Sequence, residues 1–312
     1  MTTLISYLTE PFQHAFMRNA FAAIVLIGLI CGAMGVFVIL RGLAFMGDAM
    51  AHAVFPGVVI SYVLGGSYLV GAIVSATVVS LAIGAVTQSG LLRNDTAIGV
   101  FFVGAFALGV AIISTQQSYA RDVTNLLFGS ILGVSRQDLF LTALVGCGVL
   151  LALWLSRREI VIGSFDRTFA RSQGLNLWGW DQLFLLLLSL TIVISLQTVG
   201  NVLVLAMLVT PAAAARLLTV RLAPMIGVSA AIGALSGVSG LYLSYFRGIS
   251  SGASIILTAT AIFLVIFLFA PRTGIITTRV ARRLHFGHPE RDQFIEFQQE
   301  RDLDEEAAGS RA

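Results

Sequence analysis

Asp48 and His52 are the residues of this chain whose types and spacing best suit chemistry. They stand four positions apart in the run GDAMAHAVFPG, residues 47–57. On a helix this spacing brings two side chains onto one face. A carboxylate oxygen and an imidazole nitrogen are suitable ligands for a borderline divalent ion such as zinc, manganese or ferrous iron. Two ligands form only a loose site, which suits an ion that must leave as well as enter, because a complete tetrahedral cage would hold it.

The same two residues have other uses that the local sequence leaves open. An aspartate and a histidine on one helix face can form a structural hydrogen bond at a helix interface, or act as a proton-relay pair. Within a membrane, a charge near the bilayer centre costs about 2.5 to 3.5 kcal/mol even on the most lenient insertion scale. A membrane-spanning sequence that keeps both residues is therefore expected to have a use for them.

The composition of the chain sets the environment of this pair. Of the 312 residues, 57% are hydrophobic and 11% are charged, and the mean hydropathy is +0.91. Soluble domains are about one quarter charged, so this is an integral membrane protein. Every basic residue is arginine, which excludes the lysine-containing phosphate loop of nucleotide hydrolases. No Ser-His-acid set, no H-E-x-x-H motif and no basic cluster interleaved with aromatics is present, so neither an enzyme nor a nucleic-acid-binding protein is predicted.

Apolar runs predict an all-α, polytopic fold of eight or nine transmembrane helices. A crossing helix needs roughly 20 apolar residues. Such runs occupy residues 19–40, 43–64, 67–87, 95–115, 137–156, 182–199, 201–219, 222–243 and 250–270. The uncertain region is 182–219, where Gly200, Asn201 and Pro211 interrupt the apolar sequence. We therefore predict an interfacial N-terminal segment (1–18), a permease-like membrane domain (19–271) and a polar, acidic tail (272–312).

Arginine asymmetry predicts how the chain is oriented in the membrane. Short cytoplasmic loops retain positive charge. If the 157–180 connection is cytoplasmic, few arginines fall outside and most fall inside, at positions 41, 93, 157, 158, 167, 171, 216, 221, 272, 279, 282 and 283. With nine spans the N-terminus is then outside and the tail from residue 272 onward is cytoplasmic.

Two interruptions within the spans are candidates for irregular backbone lining a path. Pro56 and Gly57 follow His52 by about one turn and should loosen the helix, which would free a backbone carbonyl toward a cavity. The second interruption runs from Gly200-Asn201 to Thr210-Pro211. Packing between helices explains this second interruption equally well.

The 157–180 connection contains a predicted short helix. Asp166 stands near its start, Ala170 in its middle and Gly174 just past its end, in agreement with the end preferences of helices. An amphipathic helix in this position can lie on the lipid surface or dock in a groove of a partner protein.

Two blocks of sequence carry a family resemblance. Residues 40–57, with Arg41 followed by GDAMAHAVFPG, resemble the signature of the permease subunit of bacterial ABC-type manganese, zinc and iron importers: an arginine, then G-D-[AS]-[LM]-[SA]-H-[AS]-V-x-P-G. Residues 199–219 resemble that family's second recurrent block, and residues 251–254 a third. Two departures are Ala51, where serine is common, and a longer acidic tail.

The resemblance implies a fold, a location and partners. The fold would be the one shared with cobalamin and ferric-siderophore permeases, used as a dimer in the bacterial inner membrane with the pathway along its axis. The helix containing Asp166, Ala170 and Gly174 would be the coupling helix that docks on a separate cytoplasmic ATP-binding subunit. An extracytoplasmic metal-binding protein would deliver the ion. Asp48 and His52 would be the intramembrane metal-coordinating residues, with the metal as cargo and no permanently bound cofactor.

Three other functions compete with ATP-driven import of a bare metal ion. A stand-alone, ion- or proton-coupled metal transporter would use the same pair without an ATPase. An ABC permease for a larger cargo, such as a siderophore or cobalamin, would need a wide cavity and no ligand pair. A purely structural membrane subunit would need no transport site. Oxygen and nitrogen ligands suit manganese, iron and zinc about equally, so the pair does not fix the metal.

Overall fold

The computed structural model describes residues 9–88, 94–115 and 131–270. Within these ranges every regular element is a helix. The chain divides into two compact units, Met1–Leu264 and Val265–Ala312. The predicted acidic tail, 272–312, and the first eight residues of the predicted interfacial segment lie outside the described residues.

Eleven α-helices and two short 3₁₀ helices, Glu10–Gln13 and Ile131–Gly133, make up the described chain. The α-helices are α1 (Ala15–Leu40), α2 (Met46–Ala53), α3 (Phe55–Val63), α4 (Tyr68–Gln88), α5 (Asn94–Ile113), α6 (Arg136–Phe165), α7 (Arg167–Ser172), α8 (Leu177–Val199), α9 (Asn201–Leu218), α10 (Leu222–Arg247) and α11 (Ser251–Phe269).

Nine helical segments of the described chain are long and apolar enough to cross a membrane. The helices α2 and α3 together form one of them, Met46–Val63, and α7 is too short to be one. The predicted all-α, polytopic fold is therefore confirmed, and the higher of the two predicted span numbers holds for this part of the chain. Gly200 separates α8 from α9, so the uncertain region contains two helices.

The span that carries Asp48 and His52 is broken at Val54. Pro56 has no N–H, and the Gly57 N–H bonds to the Val54 carbonyl at 3.1 Å. The Ser75 hydroxyl of α4 donates to the Ala53 carbonyl at 2.8 Å. The predicted interruption near Pro56 is thus present as the break between α2 and α3, and the Ala53 carbonyl, which the Gly57 N–H does not reach, accepts from Ser75 of α4.

A close approach of backbones holds α3 against α4. A Cβ added to Gly57 would lie 2.0 Å from the Gly71 carbonyl oxygen, and a Cβ added to Gly71 would lie 2.1 Å from that of Gly57. Neither position accommodates a larger side chain without separating the helices. Small residues at helix contacts are typical of membrane proteins, where close packing replaces the hydrophobic effect as the driving force.

The arrangement of helices places α2 inside the bundle. The long helix α1 packs against α6, α9 and α10, while α2 packs against α4, α5, α8 and α9. Most of α2 is buried, including Met46, Ala49, Met50 and Ala53. The polar side chains of α2 are therefore held at fixed positions by helices that come from distant parts of the chain.

The helix α6 is longer than the predicted span. It continues past residue 156 through Arg157, Arg158 and Glu159 to Phe165. No proline interrupts it there, and arginine and glutamate are good helix formers. The first part of the 157–180 connection is therefore a continuation of a membrane-length helix, and only the part after Phe165 contains the separate short helix α7.

Candidate functional site

The structure places Asp48 and His52 on one face of α2, as their spacing predicts. His52 Nε2 lies 3.6 Å from Asp48 Oδ1. The His52 side chain is 22% exposed and the Asp48 side chain 43% exposed. The two groups are close enough to act together, and the carboxylate is open to an approaching cation.

A third polar side chain, Asn201, completes this cluster. Asn201 is the first residue of α9 and is only 6% exposed. Its side-chain Nδ2 lies 3.1 Å from His52 Nε2. Because an amide nitrogen donates, Nε2 accepts this hydrogen bond in the neutral ring. The predicted irregular segment at Gly200-Asn201 therefore meets the Asp48–His52 pair.

The conformation at Gly200 determines where Asn201 stands. Gly200 has φ +86° and ψ 164°, a backbone region that is essentially restricted to glycine. Its N–H bonds to the Leu196 carbonyl at 3.0 Å, and its carbonyl accepts from the Val204 N–H at 3.2 Å. One residue thus ends α8 and begins α9, which leaves no loop that could move Asn201 away from His52.

Aromatic rings and a small cavity surround the imidazole. The ring centroids of Phe102 and Phe106, both on α5, lie 5.3 Å and 5.2 Å from that of His52. A cavity of about 10 Å³ lies beside the ring, and Leu196 and Asn201 are among its lining residues. This volume is close to the minimum that holds one water molecule. The space therefore suits a single small occupant.

The cluster contains possible metal ligands but too few of them to enclose an ion. Among the described residues, no group of three or more His, Cys, Asp and Glu side chains is arranged to hold a metal ion. One carboxylate, one imidazole and one amide are suited to transient binding of a cation, because a complete cage would retain it.

The predicted short helix is present as α7. The Asp166 carboxylate caps it by accepting from the Phe169 N–H at 2.8 Å. Gly174 follows the helix with φ +74°, and the Leu175 N–H bonds back to the Ala170 carbonyl at 3.1 Å. Ala170 is fully buried, so it packs α7 against the protein. The outward-facing side chains beside it are the more exposed Phe165 and Phe169.

A network of charges links α7 to the segment that precedes α2. Arg41 donates from Nη1 to Asp181 Oδ1 at 2.9 Å and from Nε to Ser164 Oγ at 2.9 Å. Arg167 of α7 pairs with the other oxygen of Asp181. Burial lowers the pKa of Arg41 below its usual value, while the Asp181 carboxylate acts to raise it. Asp181 is thus shared between the short helix and the residue five positions before Met46.

This network borders a second cavity, larger than the one beside His52. The cavity measures about 660 Å³ and is lined by residues from the start of α8, from α7 and from the loop after α1, including Arg41, Arg167, Arg171 and Asp181. It lies at the predicted cytoplasmic ends of these helices. Its lining contains arginine and aspartate side chains, which the lining of the small cavity beside His52 does not.

Sequence reasoning did not identify Asn201 as a neighbour of His52, nor Asp181 as a partner of Arg41. These contacts join residues 149 and 140 positions apart, and no local spacing encodes them. Two features of the sequence point to these residues. One is the helix break at Gly200, and the other is a charged residue, Asp181, at the start of an apolar run, four residues after Leu177.

The chain is similar to one protein family and to several known transport proteins. The sequence profile of the ABC 3 transport family matches residues 13–270. The manganese transport system membrane protein MntC of Halalkalibacterium halodurans is 43% identical over 277 residues, which cover 89% of this chain and 95% of that protein. The chelated iron transport system membrane protein YfeC of Yersinia pestis is 36% identical over 289 residues, with coverage of 92% and 97%.

A solved structure shares the fold at similar sequence identity. The structure of PsaBC from Streptococcus pneumoniae in complex with Fab matches with a TM-score of 0.78 and 36% identity, and the match covers 88% of this chain and 99% of that one. The permease fold implied by the resemblance of residues 40–57 and 199–219 is therefore confirmed.

The family match over residues 13–270, the 43% identical membrane protein MntC and the membrane-length helices of the described chain show a multi-pass membrane permease and not an enzyme. The chain belongs to the ABC 3 transport family. It is accordingly a transport subunit of the bacterial inner membrane.

Proposed function

We propose that this chain is the membrane-spanning subunit of an ATP-driven importer for a divalent transition metal ion. The observation that carries the proposal is the placement of Asp48 Oδ1 and His52 Nε2 3.6 Å apart on a helix inside the bundle. Two ligands bonded to one ion at about 2.0–2.2 Å lie roughly 3.0–3.6 Å apart, so this pair is spaced to share an ion. Membership in the ABC 3 transport family supports a transport role for it.

In this proposal Asp48 and His52 coordinate the ion transiently while the permease changes between outward- and inward-facing states. The carboxylate supplies charge, and the imidazole supplies a nitrogen ligand through Nε2. Because the pair makes few bonds to the ion, the ion is released when the helices around α2 shift. Nothing in the mechanism requires a cofactor that stays bound.

The proposed partners are three. A separate cytoplasmic ATP-binding subunit would dock on α7, the helix capped by Asp166, packed through Ala170 and ended at Gly174. An extracytoplasmic metal-binding protein would deliver the ion, and a second copy of the permease would complete the pathway. In this orientation, α7 and the tail after residue 271 lie on the cytoplasmic side.

Manganese is the cargo that we favour. Three features agree with it: the relative MntC is named for manganese transport, Asp48 supplies a hard oxygen ligand, and Asn201 offers an amide beside His52. Carboxylate and carbonyl oxygens suit manganese better than the softer metals. Iron or zinc remain alternatives that the same pair can bind through the imidazole.

A metal chelate is the competing cargo, because the relative YfeC is named for chelated iron. Asp48 Oδ1 and His52 Nε2 lie 3.6 Å apart, which suits two ligands of one bare ion. A chelate would also leave Asp48 and His52 without a ligand role. The ligand pair therefore favours a bare ion at the site.

Uptake of radioactive ⁵⁴Mn²⁺ tests the proposal. Cells that lack their own manganese importer would express the full transport system with Asp48→Ala or His52→Ala at matched membrane levels. We expect each variant to lower the initial uptake rate by at least about tenfold, because even indirect supports of a metal site are worth that much. Near-normal uptake in both variants would refute the site.

Matched controls separate the loss of a ligand from a general defect. His14→Ala removes a histidine that contacts Phe16 and Tyr245, and Asp138→Ala removes the carboxylate that accepts from the Ser135 N–H in the capping box of α6. Both should retain uptake. Reconstitution distinguishes the stand-alone alternative: if the purified chain moves Mn²⁺ into liposomes without an ATP-binding subunit, ATP-driven import is wrong.

A further inference from the structure

Asn201 occupies a position that its sequence neighbours do not explain. Its side chain is 6% exposed, in an α9 segment whose other buried residues are mainly apolar, including Leu203, Val204 and Met207. An asparagine is a costly choice for such a position, because a buried amide must find partners for its donors and its acceptor. This side chain reaches across to α2 and places Nδ2 3.1 Å from His52 Nε2.

The acceptor of this amide has no partner. Asn201 Oδ1 is buried and makes no hydrogen bond with the described residues, and the same is true of His52 Nδ1. Buried side-chain acceptors are nearly always satisfied, and an exception calls for an explanation such as an ion. The unpaired oxygen belongs to the side chain that contacts His52 of the proposed ligand pair.

We propose that Asn201 Oδ1 is a third ligand of the transported ion and biases the site toward manganese; this inference rests on the function proposed above. Without the ion, the amide nitrogen donates to His52 Nε2. When the ion arrives, a half-turn of the amide about its terminal bond exchanges nitrogen for oxygen, and Oδ1 then points at the ion together with Nε2 and Asp48 Oδ1.

The distances permit this arrangement. The two contacts that meet at His52 Nε2 measure 3.6 Å to Asp48 Oδ1 and 3.1 Å to the Asn201 amide. Ligands of one ion lie roughly 3.0–3.6 Å apart when their bonds are about 2.0–2.2 Å long. The amide oxygen and nitrogen occupy nearly equivalent positions about the terminal bond, so the exchange needs no movement of α9.

The predicted consequence concerns selectivity. Asp48 and His52 alone offer one oxygen and one nitrogen, which suit manganese, iron and zinc about equally. A neutral amide oxygen changes the set to two oxygens and one nitrogen. Carbonyl and carboxylate oxygens suit manganese, whereas imidazole suits zinc, iron and copper. Asn201 should therefore contribute more to the affinity for Mn²⁺ than to the affinity for Zn²⁺.

A supporting role for Asn201 makes a different prediction. If the amide only orients the His52 ring through its hydrogen bond, its removal disturbs one ligand that both metals use. The affinities for Mn²⁺ and Zn²⁺ would then fall by similar factors. The ratio of the two affinities, and not the size of either loss, distinguishes a ligand from a support.

The experiment measures Mn²⁺ and Zn²⁺ binding to the full-length permease in detergent. Asn201→Leu keeps the shape of the side chain and removes its oxygen, Asn201→Asp retains an oxygen, and Asn201→His supplies a nitrogen. We expect Asn201→Leu to weaken Mn²⁺ binding by about tenfold and Zn²⁺ binding by no more than about twofold. Asn201→Asp should restore Mn²⁺ binding, and Asn201→His should shift the preference toward Zn²⁺.

Two results would overturn the inference. One is an unchanged ratio of Mn²⁺ to Zn²⁺ affinity in Asn201→Leu. The other is an Asn201→His protein that still prefers Mn²⁺ to Zn²⁺. This second result decides the question if Asn201→Leu does not fold. Asp48→Ala and His52→Ala are measured in parallel: if they abolish binding while the Asn201 variants keep the ratio, the proposed function stands and only this inference fails. If they bind normally, the proposed function fails as well.

Discussion

Arg41 carries a positive charge on a side chain that is only 9% exposed. Its guanidinium donates to Asp181, to Ser164 and to the Ile160 carbonyl, and it lies 4.3 Å from the centroid of the Phe184 ring. Arginine suits this position because its planar group donates in several directions at once and stacks on an aromatic ring. One side chain thereby fixes the loop that leads from α1 into α2.

Breaking the Arg41–Asp181 pair should destabilise the protein. Arg41→Leu leaves the Asp181 carboxylate paired with Arg167 but no longer with Arg41. Asp181→Leu leaves the buried Arg41 guanidinium without its anion. Removing one partner of a buried pair costs about 3–5 kcal/mol, so we expect each variant to lower the Tm in detergent by roughly 5–10 °C. Thermal melting of the full chain measures the effect.

The control for this prediction is Arg171→Leu, because Arg171 is exposed on the lining of the same cavity. It should melt within about 2 °C of the parent protein. The double variant Arg41→Leu with Asp181→Leu should lose less than the sum of the single losses, since it leaves no buried charge unpaired. Arg167, which also loses Asp181, is 58% exposed. Losses that simply add would contradict the pairing.

The helices were largely predictable from the sequence, and the contacts between them were not. Apolar runs of crossing length predicted α1, α4 and α10 because each must satisfy its own backbone within lipid. Pro56 predicted the break in its span because it removes one N–H. Asn201 meets His52 only because α9 packs against α2, and no pattern within either helix determines which of the other helices lies beside it.

The short helix α7 shows a similar division at the scale of one element. Asp166 and Gly174 marked its ends in the sequence, since a carboxylate caps helix N-termini and glycine tolerates a positive φ. The sequence did not indicate which face is buried. The structure buries Ala170 and leaves Phe169 50% exposed and Phe165 71% exposed, so a docking partner would meet the aromatic residues.

We expect Phe169→Ala to weaken attachment of the ATP-binding subunit. An exposed aromatic side chain on a short, firmly packed helix is a typical anchor, and truncating such an anchor often costs 2 kcal/mol or more. Copurification at controlled subunit concentrations should show an affinity lower by about tenfold or more. Phe140→Ala, which truncates a 69% exposed phenylalanine on α6, should leave the affinity unchanged; equal losses in both variants would argue against docking on α7.

At the scale of the whole molecule, a single chain does not account for the exposure of Asp48. The helix α2 belongs to a span that is 61% buried, yet the Asp48 side chain is 43% exposed. A carboxylate facing acyl chains is costly. A second copy of the chain that covers this side of α2 would shield the carboxylate from acyl chains and face it with a matching cluster.

This arrangement predicts how many ions the protein holds. One chain offers Asp48, His52 and Asn201, which leaves positions on a six-coordinate ion unfilled, and two copies meeting at Asp48 would supply two such sets around one ion. We therefore expect one Mn²⁺ for every two chains when the purified permease is saturated. Elemental analysis after rapid desalting, with the chain concentration from amino-acid analysis, gives the ratio directly.

The double variant Asp48→Ala with His52→Ala corrects for ions bound elsewhere. One ion per chain would mean that each copy binds its ion alone, and the exposed face of Asp48 would then need a different cover.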